Sequence, residues 1–80
     1  MKEIGKIETY FSKLGVVAVT LTGTLKVGDT IKIKGATTDF EQEVESMQID
    51  RKPINEAKRG DSVGIRVVDV VRNSDKIYKL

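Results

Sequence analysis

The chain contains no cysteine and no histidine. Without cysteine there is no disulfide and no thiolate zinc site. Without histidine it lacks the commonest metal ligand and the side chain that most often moves protons near neutral pH. Tryptophan is absent, proline occurs once, and the aromatics are two tyrosines and two phenylalanines. No apolar run approaches the roughly 20 residues of a membrane-spanning helix. Met1-Lys2-Glu3-Ile4-Gly5 lacks the apolar stretch of a secretory signal, so a cytoplasmic location without membrane contact is expected. Neither a Gly-x-x-x-x-Gly-Lys-Ser/Thr loop nor a Gly-x-Gly-x-x-Gly pattern occurs. The serines and threonines have no imidazole to activate them. These absences argue against most enzyme classes, and no catalytic residue, metal site or cofactor is expected.

What is present is strand-forming. Valine and isoleucine dominate the apolar residues of this 80-residue chain, and β-branched side chains favour strands. Hydrophobic residues make up 39% and charged residues 32%, a balance that suits one folded domain over residues 1–80. Fourteen bases are interspersed with 12 acids, and the net charge of +2 permits an anionic partner without requiring one.

Strand-like segments alternate with short turns. Ile4 to Phe11 reads as a first strand and Val16 to Leu21 as a second, nearly continuous in apolar character. Gly28-Asp29, Gly60-Asp61 and Asn73-Ser74-Asp75 read as turns. Thr30 to Lys34 alternates, with Ile31 and Ile33 inward. With Gly35 opposite Phe40, Ile31 faces Val44, Lys32 faces Glu43 and Lys34 faces Glu41. Phe40 to Asp50 reads as the longest strand. Its inward set shifts phase between Val44 and Met47, which predicts a β-bulge near Glu45-Ser46. Arg51 to Asp61 reads as a loop, since Pro53 has no N–H to give a central ladder. Ile54 and Ala57 are expected to close one barrel end, and Val63, Ile65 and Val67 form a further inward face. About six or seven short strands in so short a chain suit an all-β, small closed barrel, which removes exposed strand edges.

Three surface features invite a functional reading. Glu41, Glu43 and Glu45 form a row that Lys32 and Lys34 answer, which suits a solvated face better than a cation site. Arg51-Lys52 and Lys58-Arg59 flank one loop and are candidate phosphate contacts, with Asp50, Glu56 and Asp61 nearby. Tyr10 and Phe11 are neighbours that point to opposite faces, with Phe11 expected at the core or rim and Tyr10 half-exposed.

Gly15-Val16-Val17-Ala18-Val19, Gly23-Thr24-Leu25-Lys26-Val27-Gly28-Asp29-Thr30-Ile31-Lys32-Ile33, Met47 to Ala57, Gly60-Asp61-Ser62-Val63-Gly64-Ile65 and a closing Asp75-Lys76-Ile77-Tyr78 occur in an order that resembles domain 2 of elongation factor Tu. The resemblance spans roughly residues 4 to 78. It is similar to small stand-alone translation elongation factor-like proteins and to the barrel appended to some collagenase-like peptidases. It implies a closed Greek-key barrel of about six strands, a rigid module that contacts tRNA or ribosomal RNA. Gln48 stands where that family has an acidic residue near the terminal adenosine, and Arg51 at a basic position near the acceptor end. The nucleic-acid candidates are therefore Gln48, Arg51, Lys52, Lys58 and Arg59. The first expectation is a non-catalytic binding module for RNA or a ribosomal partner. The alternative is a protein-interaction barrel that docks a separate enzyme, through an apolar patch around Val68, Val70 and Val71.

Overall fold

A computed structural model describes residues 1–80. In chain order the strands are β1 (Lys2–Phe11), β2 (Val16–Leu21), β3 (Leu25–Lys26), β4 (Thr30–Lys34) and β5 (Asp39–Glu43). They continue with β6 (Met47–Ile49), β7 (Lys52–Ile54), β8 (Glu56–Ala57), β9 (Ser62–Arg66) and β10 (Lys76–Lys79). Eight of them form one antiparallel sheet in the order β5-β4-β10-β1-β2-β9-β6-β7, and β3 pairs with β8. The all-β expectation holds: the sheet curls around a core that includes Ile7, Val19, Ile33, Ile65 and Ile77. Fully burying each such side chain stabilises the fold by about 1.5–3 kcal/mol relative to exposure.

The backbone ladder itself has two ends, β5 and β7. A side chain spans the remaining gap. Gln42 on β5 donates its Nε2–H to the Arg66 carbonyl at 2.8 Å and accepts from the Val68 N–H at 2.9 Å through Oε1. These two contacts mimic the donor–acceptor pair of a neighbouring strand. Six strands, β5-β4-β10-β1-β2-β9, thus complete the wall, and the β6–β7 hairpin continues the sheet beside β9, with Met47 in the core and Ile49 and Ile54 packed against it.

Three turns share one construction. In Lys26-Val27-Gly28-Asp29, Lys58-Arg59-Gly60-Asp61 and Arg72-Asn73-Ser74-Asp75, the third residue has φ of 99°, 92° and 76°. In each, the Asp carboxylate accepts from the N–H of the first residue at 2.9 Å. In each, the Asp N–H also returns to the first residue's carbonyl, at 3.1, 3.0 and 3.2 Å. Positive φ at the third position is natural for glycine and strained for Ser74. Ser74→Gly is therefore expected to raise stability by about 1 kcal/mol, read as a Tm increase of several degrees.

Several expectations are corrected. The β4–β5 hairpin places Ile33 opposite Phe40, Ile31 opposite Gln42, Lys32 opposite Glu41 and Lys34 opposite Asp39. The register is two residues shorter than expected because Gly35 N–H already bonds the Thr38 carbonyl at 2.8 Å. A two-residue shift preserves the faces, so Ile31 and Ile33 stay inward. The strand expected over Phe40 to Asp50 breaks across Val44–Ser46, near the expected irregularity, and the longest strand is β1 with 10 residues. The segment expected as a loop from Arg51 to Asp61 contains β7 and β8. Pro53 is accommodated because β7 is an edge strand.

The aromatic pair is corrected at one position: Tyr10 is half-exposed as expected, but Phe11 does not enter the core. Phe11 is 47% exposed, while Tyr10 packs against the core. The cause is a bulge: Ile7 pairs with Val19 and Thr9 with Ala18, leaving Glu8 extra. One added residue moves every later side chain of β1 to the opposite face.

Candidate functional site

The outer face of β2, β9 and β6 carries small side chains. Val16 and Ala18 of β2 lie beside Gly64 of β9, and Gln48 of β6 pairs with Gly64. A Cβ on Gly64 would lie 3.1 Å from Gln48 Cγ and 3.3 Å from its Nε2. The missing side chain lets Gln48 lie flat across the neighbouring strand. This low floor is walled by Phe11 and Leu14 on one side and by Asp50 and Arg51 on the other, giving an open groove of about 340 Å³. A second hollow, formed by Tyr10 to Leu14, adjoins it through Phe11 and Leu14.

The walls come from two turns. Phe11 ends β1, and the Leu14 and Gly15 N–H groups both bond the Phe11 carbonyl, at 3.0 and 2.9 Å. This compact turn holds the two apolar side chains outward, with Leu14 68% exposed. Opposite it, Asp50 and Arg51 form the two-residue tip of the β6–β7 hairpin, since Ile49 pairs with Lys52. Their φ values are 52° and 65°. A two-residue hairpin with both φ positive is the primed turn that favours Asn-Gly. Two non-glycine residues there carry backbone strain of about 1–2 kcal/mol each. Arg51→Gly is expected to raise stability by about 1 kcal/mol, checked by thermal unfolding. An unchanged or lower Tm would mean the Arg51 side chain makes a compensating contact.

Among the five nucleic-acid candidates, Gln48 and Arg51 share the groove. Lys52 sits on β7 opposite Ile49. Lys58 and Arg59 belong to one of the three aspartate-closed turns, where the Lys58 N–H bonds Asp61. Lys52, Lys58 and Arg59 line none of the surface cavities. None of the five makes a salt bridge; the pairs are Lys26–Glu56, Lys32–Asp39, Lys76–Glu3 and Lys79–Asp29, at 3.3–3.6 Å. Sequence reasoning missed Leu14 and the exposure of Phe11, because the bulge that turns Phe11 outward leaves no mark in the side-chain pattern.

The apolar patch expected around Val68, Val70 and Val71 is corrected. Val68 and Val70 are 65% and 68% exposed, but Val71 is buried in the core at 3%. The nearby hollow is chiefly polar, lined by Thr37, Thr38, Asp39, Phe40, Asp69, Val70 and Arg72. No three carboxylates converge in a way that holds a metal ion. No helix is long and apolar enough to cross a membrane.

No family model matches the chain. It is similar to an uncharacterised protease from Methanocaldococcus jannaschii, 42% identical over 79 residues, which cover 98% of this chain and 19% of that protein. It is similar to a collagenase from Porphyromonas gingivalis, 38% identical over 95% of this chain and 22% of that protein. Elongation factor 1-alpha from Pyrococcus horikoshii is 36% identical over 88% of this chain and 18% of its own length. The chain thus spans about a fifth of the curated relatives it matches. In structure it resembles the C-terminal domain of a candidate U32 peptidase from Geobacillus thermoleovorans, with a TM-score of 0.91 at 17% identity, covering 99% of this chain and 92% of that domain. The identity to the proteases exceeds that to the elongation factor, so the translation-factor likeness is the looser of the two. The fold is that of a barrel found attached to a peptidase, with sequence similarity to short segments of proteases and of elongation factors.

Proposed function

We propose that the chain is a non-catalytic docking barrel that associates with a peptidase unit and holds it or its substrate through the outer face of β2, β9 and β6. The observation that carries this reading is the 42% identity over 79 residues to only 19% of a protease. A matched segment that small leaves most of that relative to supply the chemistry. The composition agrees: without cysteine or histidine, the chain has no thiolate or imidazole for hydrolysis. The exposed pair Phe11 and Leu14 supplies the kind of apolar surface through which proteins associate.

Affinity capture from a cell lysate, with and without nuclease, tests this. The expected result is retention of a nuclease-resistant protein of the peptidase class. Retention of ribosomal particles that disappear with nuclease would contradict it.

A second reading is a nucleic-acid contact through Gln48, Arg51, Lys52, Lys58 and Arg59. It is favoured by the presence of Gln48 and Arg51 in one groove beside exposed Phe11, a side chain able to stack on a base. Titration with single-stranded RNA at low and high salt separates the two. Docking to protein predicts no binding at either; binding that falls steeply with salt would mark phosphate contacts.

A further inference from the structure

We infer that the groove between Phe11, Leu14 and the Asp50–Arg51 tip accepts an acidic protein segment that carries a large apolar anchor. The inference rests on the docking function proposed above and names the chemistry of the partner. The apolar component is direct. Phe11 is 47% and Leu14 68% exposed, and they stand over a floor of Val16, Ala18 and Gly64. A leucine or phenylalanine inserted there removes apolar area from water on both partners, worth roughly 25 cal/mol per Å².

The charged component follows from pairing. The four salt bridges of the chain involve none of the charges around this face. Lys13 stands in the hollow beside Leu14, Arg51 at the hairpin tip, and Arg66 beside Gln48 and Gly64 in an adjoining depression. Asp50 is the one acid on the same rim. Three unpaired bases against one acid leave a positive rim around an apolar floor, complementary to carboxylates flanking an apolar side chain. A nucleic acid is less well matched. Leu14 offers no stacking face, Asp50 repels phosphate, and the Lys58–Arg59 pair lies in a separate turn.

Selection from a random-peptide display library against the whole chain, followed by backbone amide shift mapping of the enriched peptides, tests the inference. Enriched sequences are expected to combine Leu, Phe, Ile or Met with flanking Asp or Glu, and to shift Phe11, Leu14, Ala18 and Gly64. Leu14→Glu is expected to weaken binding about thirtyfold, the loss typical of a central anchor. Leu14 lies outside the core, so an unchanged Tm for this variant separates lost binding from lost folding. Enrichment of basic or uncharged sequences would overturn the proposal. So would tighter binding of a single-stranded RNA oligonucleotide to the same residues. Shifts confined to Val68 and Val70, with a peptidase still captured from lysate, would remove the groove while leaving docking intact. Acidic peptides in the groove with no peptidase captured would remove the proposed partner class instead.

Discussion

Gly35→Ala is expected to lower stability by roughly 2–4 kcal/mol, a large share of the ~4–12 kcal/mol typical of a chain this size. A Cβ at Gly35 would overlap Asp75 Oδ1 and lie 2.6 Å from its Cγ. The end of a side chain usually moves aside, but this one is held. Asp75 is 4% exposed, and its Oδ2 accepts from the Arg72 N–H at 2.9 Å. Its main chain bonds both Arg72 and Ile7, at 3.2 and 2.8 Å. Displacing the carboxylate therefore opens the last of the three aspartate-closed turns and loosens the start of β10. Gly28→Ala supplies the comparison. Gly28 has φ of 99° and nothing within 4 Å of an added Cβ, so that variant meets backbone strain alone, about 1 kcal/mol. Urea unfolding of both variants checks the difference. Equal losses would show that Asp75 yields freely.

Gln42→Leu is expected to cost about 2–4 kcal/mol while keeping the side chain's bulk. Gln42 is 8% exposed, and its amide is the partner of the Arg66 carbonyl and the Val68 N–H. Leucine leaves both backbone groups without these partners at the seam between β5 and the end of β9. The Val68 amide is then expected to lose hydrogen-exchange protection before the rest of the sheet does. Gln42→Glu is a sharper test. A carboxylate still accepts from Val68 but faces the Arg66 carbonyl, whereas the protonated acid donates to it as the amide does. The folded-state pKa of that glutamate is raised above its unfolded value near 4.3. Its stabilising contribution is thus present below the unfolded pKa and lost as pH rises through the folded one. The stability gap to the wild type is expected to narrow on acidification toward pH 4. A gap that widens there would contradict the seam geometry.

The barrel was legible because its signals are local and redundant. Ile31 and Ile33 alternate with lysines, and Val63, Ile65 and Val67 repeat the same two-residue rhythm; both sets point inward. Gly28-Asp29 and Gly60-Asp61 marked turns through chemistry that the structure makes explicit: glycine supplies positive φ, and aspartate closes the turn from both its main chain and its side chain. The "Val-Gly-Asp" and "Gly-Asp-x-Val-Gly" elements behind the resemblance to translation factors are therefore turn and strand residues. They carry the fold, and a peptidase-attached barrel shares it equally well.

What sequence did not disclose depends on single extra residues or on contacts across the barrel. Glu8 looks like any outward strand residue, yet its insertion into β1 turns Phe11 out and Tyr10 in. Asp50-Arg51 lacks the glycine that announces a two-residue hairpin, so β7 was hidden behind Pro53. Gln42 reads as a surface glutamine until β5 meets the chain beyond β9. Gln48 and Arg51 are candidates that share the groove, whereas Leu14, the more exposed of its two apolar wall residues, lies in a turn whose composition gives no functional hint.

The proposed docking through the outer face of β2, β9 and β6 is tested most directly by hydrogen exchange on the chain bound to a peptidase-class protein captured from lysate. Slowed exchange is expected at Phe11–Ala18, Gln48–Arg51 and Gly64, with the Val68–Asn73 segment unchanged. Protection confined to Val68–Asn73, or absent from the Phe11–Leu14 wall, would contradict that docking face.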